Sequence, residues 1–367
     1  MKILAKTETR EKETRDGESL SGCELYRQFM PFEHFRQTHP DITIAFSNDL
    51  THPEINLKDW DLFHFVRKDI KTDEKGTWLQ AGNIKAAKDA GLPIVMDIDD
   101  LWRLDSTHML YKLYKENKVD KLTEGWLRDA DAVTCTTERL ADYISKVNQN
   151  VHVIPNAPHP LFNQFAWSEP DKIDTGKVVI GWVGGIHHLN DIKSLAAFFK
   201  SFWNNSISDK ATLAMGGYEK HAIWDWMANT MAGNSNKGAA NLMLLGSMTS
   251  LEYASLYRYL DIAIVPLADN AFNKCKSELK IVEAGWFGIP VIAHDIYPYN
   301  TVIEHGVNGY LVKHGDDKAW MHYVNLLVND KALRYEMGQR LKETVKARFN
   351  ITEANKKRYD LYSGLIG

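Results

Sequence analysis

Residues 273–293 read Asn273-Lys274-Cys275-Lys276-Ser277-Glu278-Leu279-Lys280-Ile281-Val282-Glu283-Ala284-Gly285-Trp286-Phe287-Gly288-Ile289-Pro290-Val291-Ile292-Ala293. The pattern predicts a loop, a helix over Leu279–Phe287, and a strand entered through Gly288 and Pro290. A helix start presents backbone N–H groups and the positive end of the helix dipole, here at Ser277, Glu278 and Leu279, and that suits a phosphate. Lys276 and Lys280 add positive charge beside it. Glu283 lies farther along, where a carboxylate can take the two vicinal hydroxyls of a ribose. On the residues alone, an ordinary amphipathic helix with solvated charges accounts for the segment equally well.

Outward from this segment, apolar strand-like runs alternate with helical patterns nearly throughout. The first series has strand candidates at Lys2–Ala5, Ile42–Phe46, Leu62–Val66, Pro93–Ile98, Ala132–Thr136 and Val151–Ile154. Amphipathic stretches such as Leu20–Arg36, Thr77–Ala90 and Thr137–Val147 separate them. The alternation pauses at Asn156-Ala157-Pro158-His159-Pro160 and the polar stretch Ser168–Lys177, which read as a linker. A second series follows at Val178–Val183, Thr212–Met215, Leu242–Leu245, Ile262–Pro266 and Pro290–Ala293, with helical patterns at Leu195–Trp203, Leu251–Leu260 and Leu279–Phe287. After Val312 the pattern is helical to the end. Alternation of this kind predicts an α/β fold of two tandem doubly wound, Rossmann-like domains. The expected limits are 1–165, 166–345, and a C-terminal helical segment 346–367 packing back on the first domain. A cleft between two such domains is the expected active site.

Composition narrows the class. The chain has 367 residues, 44% hydrophobic and 25% charged, with 11 Trp and 15 Tyr. That is the make-up of a globular protein with substantial cores. The start, Met1 to Glu18, has only a short apolar run before charges, so neither a signal peptide nor an anchor is expected there. No stretch is long and apolar enough to predict a spanning helix. Cys23, Cys135 and Cys275 are far apart and odd in number, so neither a metal spacing nor a disulfide framework is expected, and a reducing cytoplasm fits. Residues 1–165 hold 22 Lys and Arg against 27 Asp and Glu, a net of −5, and the remainder is +1. Neither half is a basic nucleic-acid binder overall.

The 273–293 segment resembles the donor-site signature of retaining GT-B glycosyltransferases of the large family four, the glycosyl transferases of group 1. Glu283-Ala284, Gly288, Pro290 and Val291 match the second half of that signature. The resemblance implies that Glu283 binds the donor ribose. The signature's first glutamate would fall at Cys275, a departure. A subset of relatives, many phage-encoded, carries a Lys-Ser there, as Lys276-Ser277 does. Gly181-Trp182-Val183-Gly184-Gly185, with His188 and Asp191, resembles the first strand and loop of the family's donor domain, where a Gly-rich turn brings backbone N–H groups to the diphosphate. The family's usual Arg and Lys-Gly pair is absent, and Lys276 with His188 is the expected substitute. Leu245-Gly246-Ser247-Met248 resembles the place where the backbone near Met248 meets the nucleobase. Asp131–Thr134 with Thr136-Thr137-Glu138, then Val153–Asn156, resembles the last strands of the acceptor domain.

Other stretches of the first domain carry candidates for the acceptor. Gly22, with Tyr26-Arg27 and Pro31, resembles the family's opening loop and helix. Arg27 and Arg67 are candidate phosphate or acceptor contacts, or plain surface ion-pair residues. Asp97-Ile98-Asp99-Asp100 follows a strand at its carboxyl end, where three carboxylates are costly unless paired, solvated or functional. One reading is the metal-binding Asp-x-Asp of GT-A glycosyltransferases, with Mn²⁺ or Mg²⁺ on the diphosphate. The tandem α/β pattern favours GT-B, for which no metal is expected. Asp99 or Asp100 then orients an acceptor or sugar hydroxyl, Asp97 borders the acceptor, and a capped helix start at Asp99–Leu101 is the plain alternative. Lys112, Lys115, Lys118 and Lys121 are spaced to share one helix face, either a solvated face or a stripe for a phosphate backbone.

The resulting expectation is a metal-independent glycosyltransferase. It uses a UDP- or GDP-linked sugar as co-substrate and needs no resident cofactor. Asp99, Asp100 and Lys276 are the expected catalytic group, and the acceptor is a saccharide or glycan. A phage DNA glycosyltransferase acting on hydroxymethylated bases, a nucleotide-binding protein without transferase activity, and a sugar-nucleotide epimerase of the same outline are the alternatives.

Overall fold

The computed structural model describes residues 1–7, 21–72, 74, 78–166 and 172–367. The charged tract at residues 8–18, Leu20, Thr77 and residues 168–171 of the expected linker lie outside the described residues. The chain forms two compact units. The first comprises Met1–His159, Cys275–Ser277 and Asn350–Gly367, and the second Pro160–Lys274 and Glu278–Phe349.

The strands of the first unit are β1 (Lys2–Lys6), β2 (Thr43–Ser47), β3 (Leu62–Val66), β4 (Ile70–Thr72), β5 (Trp78–Gln80), β6 (Ile94–Ile98), β7 (Ala132–Cys135) and β8 (Val151–Val153). Six of them form one sheet in the order β2-β1-β3-β6-β7-β8, and every pairing is parallel. Parallel strands are covered on both faces, so they read as continuous apolar runs. Thus β3, Leu-Phe-His-Phe-Val, and β6, Ile-Val-Met-Asp-Ile, are buried at every position. The strand order reverses between β1 and β3, and the carboxyl ends beside such a reversal are where α/β sheets bind ligands.

A helical run follows β1. Ser21 and Glu24 form a capping box at its start, which satisfies two backbone donors reciprocally. The run widens to a π turn at Leu25–Phe29 and continues as an α-helix over Met30–Thr38. The final helix, Ile351–Ile366, is capped by Asn350 and packs in the same unit. Tyr362 joins Ile3, Phe32, Phe35, Leu62 and Val95 in one core cluster.

Three local expectations are corrected. Thr77–Ala90 is not one helix: β5 pairs antiparallel with β4, and the helix is Asn83–Asp89. No helix starts at Asp99–Leu101; the next one begins at Tyr111. The lysine stripe does not exist as a face. Helices Tyr111–Glu116 and Val119–Asp129 are separate, and Lys118 between them has φ 52 in the left-handed region. Lys112 and Lys115 pair with Glu116 and Asp120.

The second unit holds β9 (Val178–Val183), β10 (Ala211–Tyr218), β11 (Met243–Gly246), β12 (Ile262–Val265), β13 (Val291–His294) and β14 (Tyr310–Val312). They form a parallel sheet in the order β11-β10-β9-β12-β13-β14, reversing between β9 and β12. Trp182, Phe198, Phe202, Trp203, Met215 and Trp320 anchor its core. The segment expected as a helix over Leu251–Leu260 is a 3₁₀ helix over Tyr253–Tyr259.

Candidate active site

In the first unit, charged groups gather at the carboxyl ends of β3 and β6. Arg67 directly follows β3 with φ 58, a left-handed conformation that costs a non-glycine residue energy and concentrates at functional sites. Its N–H donates to the carbonyl of Asp97 at 2.8 Å. Its guanidinium donates to the carboxylates of both Asp99 and Asp100, the latter at 2.5 Å. Lys276, which belongs to this unit, places Nζ 3.6 Å from the other oxygen of Asp100. The structure therefore brings Asp99, Asp100 and Lys276 together around Arg67. Burial acts to lower the pKa of Arg67, but its charged neighbours, Asp99 first and Asp100 with it, together outweigh burial and keep the guanidinium charged. Burial also pushes the nearby Cys23 thiol up to about 12, so it is no nucleophile at neutral pH.

Beneath this cluster lies a second pair. Arg27 and Asp97 are both 0% exposed. Arg27 donates to the two oxygens of Asp97 at 2.7 and 2.8 Å, to the Ile154 carbonyl at 2.7 Å and to Asn156 Oδ1 at 3.1 Å. Thr134 donates to Asp97 at 2.5 Å. Burial acts to raise the Asp97 pKa, and the Arg27 guanidinium more than offsets it, holding the carboxyl below its usual range. The expected acceptor contacts at Arg27 and Asp97 are corrected accordingly: both are consumed by an interior fork-to-fork pair. Gly22 sits exposed at the first position of the capped helix, with open space around it.

In the second unit the site forms at the carboxyl ends of β9 and β12. Lys280, in the first turn of helix Leu279–Trp286, donates Nζ to the Val183 carbonyl at 2.6 Å and lies 5.3 Å from the Trp182 ring centroid. Gly184 makes room for it; a Cβ there would meet Lys280 Nζ and the Trp182 ring, each at 2.5 Å. Gly185 precedes a 3₁₀ turn at Ile186–His188 and borders open space. His188 Nδ1 lies 2.6 Å from Asp191 Oδ2. The other oxygen of Asp191 accepts from Ala268 N at 2.6 Å and Asn273 Nδ2 at 3.0 Å. A carboxylate on Nδ1 holds that nitrogen as the donor and fixes the orientation of the ring.

Glu283 is 3% exposed, and its two oxygens accept hydroxyls from Tyr253 and Tyr257, the latter at 3.0 Å. Glu278 is the N-cap of the same helix and is nearly buried, Leu279 is its first residue, and Ser277 Oγ accepts from Asn156 Nδ2 at 3.1 Å within the first unit. Met248 is exposed in the loop after β11.

Residues 177–330 match the model of the family described as "Glycosyl transferases group 1". That stretch, somewhat under half of the chain, is similar to glycosyltransferases of group 1. It is 24% identical over 179 residues to the capsular polysaccharide biosynthesis glycosyltransferase CapM of Staphylococcus aureus, a match covering 49% of this chain and 44% of CapM. The chain thus matches less than half the length of that curated relative. Among solved structures it is similar to a sucrose-phosphate synthase from Thermosynechococcus elongatus (TM-score 0.69, 13% identity, 100% of this chain and 99% of that one). It is also similar to Anabaena Alr3699/HepE, solved in complex with UDP-glucose (TM-score 0.65, 15% identity, 99% and 100%). The fold is GT-B: two Rossmann-like units, each with a six-stranded parallel sheet.

The stretch that matches the group 1 model contains Gly184, Gly185, His188, Met248, Lys276–Lys280 and Glu283. Three partners in it went unread in the sequence: Tyr253 and Tyr257 on Glu283, and Asn273 on Asp191. Tyr253 and Tyr257 lie 30 and 26 residues from Glu283, so no local spacing could have shown the contacts. Among the described residues no helix is long and apolar enough to cross a membrane.

Proposed function

We propose that the chain is a glycosyltransferase. It takes a sugar from a UDP- or GDP-linked donor and transfers it with retention, without a metal ion, to a hydroxyl of a saccharide or glycan. The observation that carries this reading is the gathering of Gly184, the His188–Asp191 pair and Lys280 at the strand-order reversal of the second unit, within the stretch that matches the group 1 model. HepE, similar over nearly its whole length, was solved in complex with UDP-glucose, which supports a nucleotide-sugar donor here.

In this reading the turn at Gly184-Gly185 and the first turn of helix Leu279–Trp286 present backbone N–H groups to the diphosphate. Lys280 and His188 add side-chain donors, Met248 lies by the base, and Glu283 takes the ribose once the Tyr253 hydroxyl yields. The bond from the anomeric carbon to the phosphate oxygen breaks with its electrons leaving on the diphosphate. The acceptor oxygen bonds to the same carbon from the same face, and its proton passes to the departing phosphate oxygen. No protein nucleophile is needed, and stabilising the leaving charge is the main work. Arg67, Asp99, Asp100 and Lys276 orient the acceptor hydroxyl.

The saccharide acceptor is favoured over hydroxymethylated DNA, a reading motivated by the phage-type Lys276-Ser277 pair. The lysines that would have tracked a phosphate backbone do not share a face, and residues 1–165 carry a net −5. Three free cysteines suit a reducing cytoplasm.

The test is a thermal-shift screen against UDP- and GDP-sugars with EDTA present, followed by product analysis with saccharide acceptors. A saturable shift for one base, and diphosphate release that requires acceptor, are expected. Donor binding without turnover would make the chain a binding protein, and release without acceptor would make it an epimerase. Loss of activity in EDTA restored by Mn²⁺ would overturn metal independence.

A further inference from the structure

The first unit buries a charged group that the transfer chemistry does not use. Arg358, on helix Ile351–Ile366, is 1% exposed. Its neighbours offer no counter-charge to spare. Both oxygens of Asp97 are taken by Arg27, and one also by Thr134. Arg358 Nη1 reaches only the neutral amide of Asn355 at 3.1 Å. Two guanidiniums and one carboxylate thus share a dehydrated interior, where charges are normally paired.

Orphaned polar atoms surround this surplus charge. Among the described residues, Arg358 Nε, His64 Nε2, Tyr362 Oη and Gln28 Oε1 are buried without a hydrogen-bond partner. Their side chains form one cluster. Gln28 Nε2 lies 3.1 Å from His64 Nδ1, the His64 and Tyr362 ring centroids are 6.1 Å apart, and Arg358 stands one helical turn before Tyr362. Gln28 Nε2 can only donate, so His64 Nδ1 accepts and its Nε2 carries the hydrogen. Arg358 Nε–H, His64 Nε2–H and Tyr362 O–H are then three donors around one positive charge, and Gln28 Oε1, an acceptor, borders them. Burial lowers Arg358 to about 10, which leaves it a cation at neutral pH. A water would satisfy hydrogen bonds but not the charge.

We propose that Arg358, His64 and Tyr362 hold a small monovalent anion such as chloride, which ties helix Ile351–Ile366 to β3. The site is separate from the donor and acceptor groups described above and stands whether or not the transferase reading does.

The test uses the full chain. Thermal unfolding is followed in sodium chloride, bromide and gluconate at one ionic strength, and crystals grown in bromide are measured at the bromine absorption edge. Expected are a saturable rise in Tm with either halide over gluconate, loss of that rise in Arg358→Met, and an anomalous peak in contact with Arg358 Nε, His64 Nε2 and Tyr362 Oη. Should Arg358→Met fail to fold, His64→Phe is expected to lose the halide-specific rise instead. A site without anomalous signal, a halide effect unchanged in the variant that folds, or a peak with no halide effect on Tm (an adventitious ion only) each overturns the proposal.

Discussion

Lys280 Nζ donates to the Val183 carbonyl across a gap kept open by the missing side chain of Gly184. A Cβ at residue 184 would stand 2.5 Å from Nζ and 2.5 Å from the Trp182 ring. The lysine tip can move, but Trp182 is 1% exposed and packed on Trp224. Gly184→Ala is therefore expected to cost about 1–3 kcal/mol in urea unfolding and to weaken donor binding by calorimetry. Gly217→Ala should cost more. It has φ +93, and its Cβ would meet the Gly184 carbonyl, which is backbone and cannot swing away.

The Arg27–Asp97 pair allows a stability test by single and double substitution. Asp97→Leu leaves the buried Arg27 and Arg358 guanidiniums without their carboxylate and is expected to destabilise by about 3–5 kcal/mol, whereas Arg27→Met, which leaves Asp97 the field of Arg358, should cost less. The double variant should recover much of that loss in chemical unfolding. Equal additive losses would show that the two side chains do not act as a pair.

Acidification should loosen the second unit through His294. This residue is 1% exposed, its ring stacks at 4.1 Å on His314, and Nδ1 accepts from Leu267 N at 3.0 Å. Burial, with His314 adding to it, lowers its pKa to about 4. The folded value lies below the unfolded value, so the unfolded chain binds the proton first. The contribution is complete above about pH 6.5 and is lost as pH falls towards 4, by at most about 3 kcal/mol. Unfolding free energies measured between pH 7 and 4.5 should fall less steeply in His294→Gln, which keeps an acceptor but does not titrate.

Glu283 and Tyr253 should shift donor affinity in opposite directions. Glu283→Ala removes the proposed ribose contact and is expected to weaken UDP or GDP binding at least about tenfold, the worth of one charged hydrogen bond. Tyr253→Phe removes the hydroxyl that occupies a Glu283 oxygen and should tighten binding. Weaker binding in Tyr253→Phe would show that the phenol helps hold the nucleotide.

The strands were legible because parallel, doubly covered strands are apolar throughout; Val178–Val183 ends where its pattern predicts. Short or composite elements were not. β4 and β5 have three residues each, too few to show alternation, and β5 was absorbed into a helical pattern. Lysines spaced three apart looked like one face because spacing carries no sign of the left-handed turn at Lys118. Within the site, the residue types at Asp99, Asp100 and Lys276 were readable, but not that Arg67 joins them. Arg27 and Asp97 read as acceptor contacts, since only the fold brings together residues 70 apart.

The first unit takes its last core residue, Tyr362, from the segment Asn350–Gly367. During synthesis, residues 1–159 therefore leave the ribosome without the Tyr362 ring that packs edge-on to Phe35 and must wait while the whole second unit is made. A nonsense or frameshift change anywhere after the second unit would spare its sheet yet strand the first as a sticky, half-finished layer. An expression fragment cut at residue 159 inherits the same fault, whereas one that appends 350–367 through a short linker restores the missing wall.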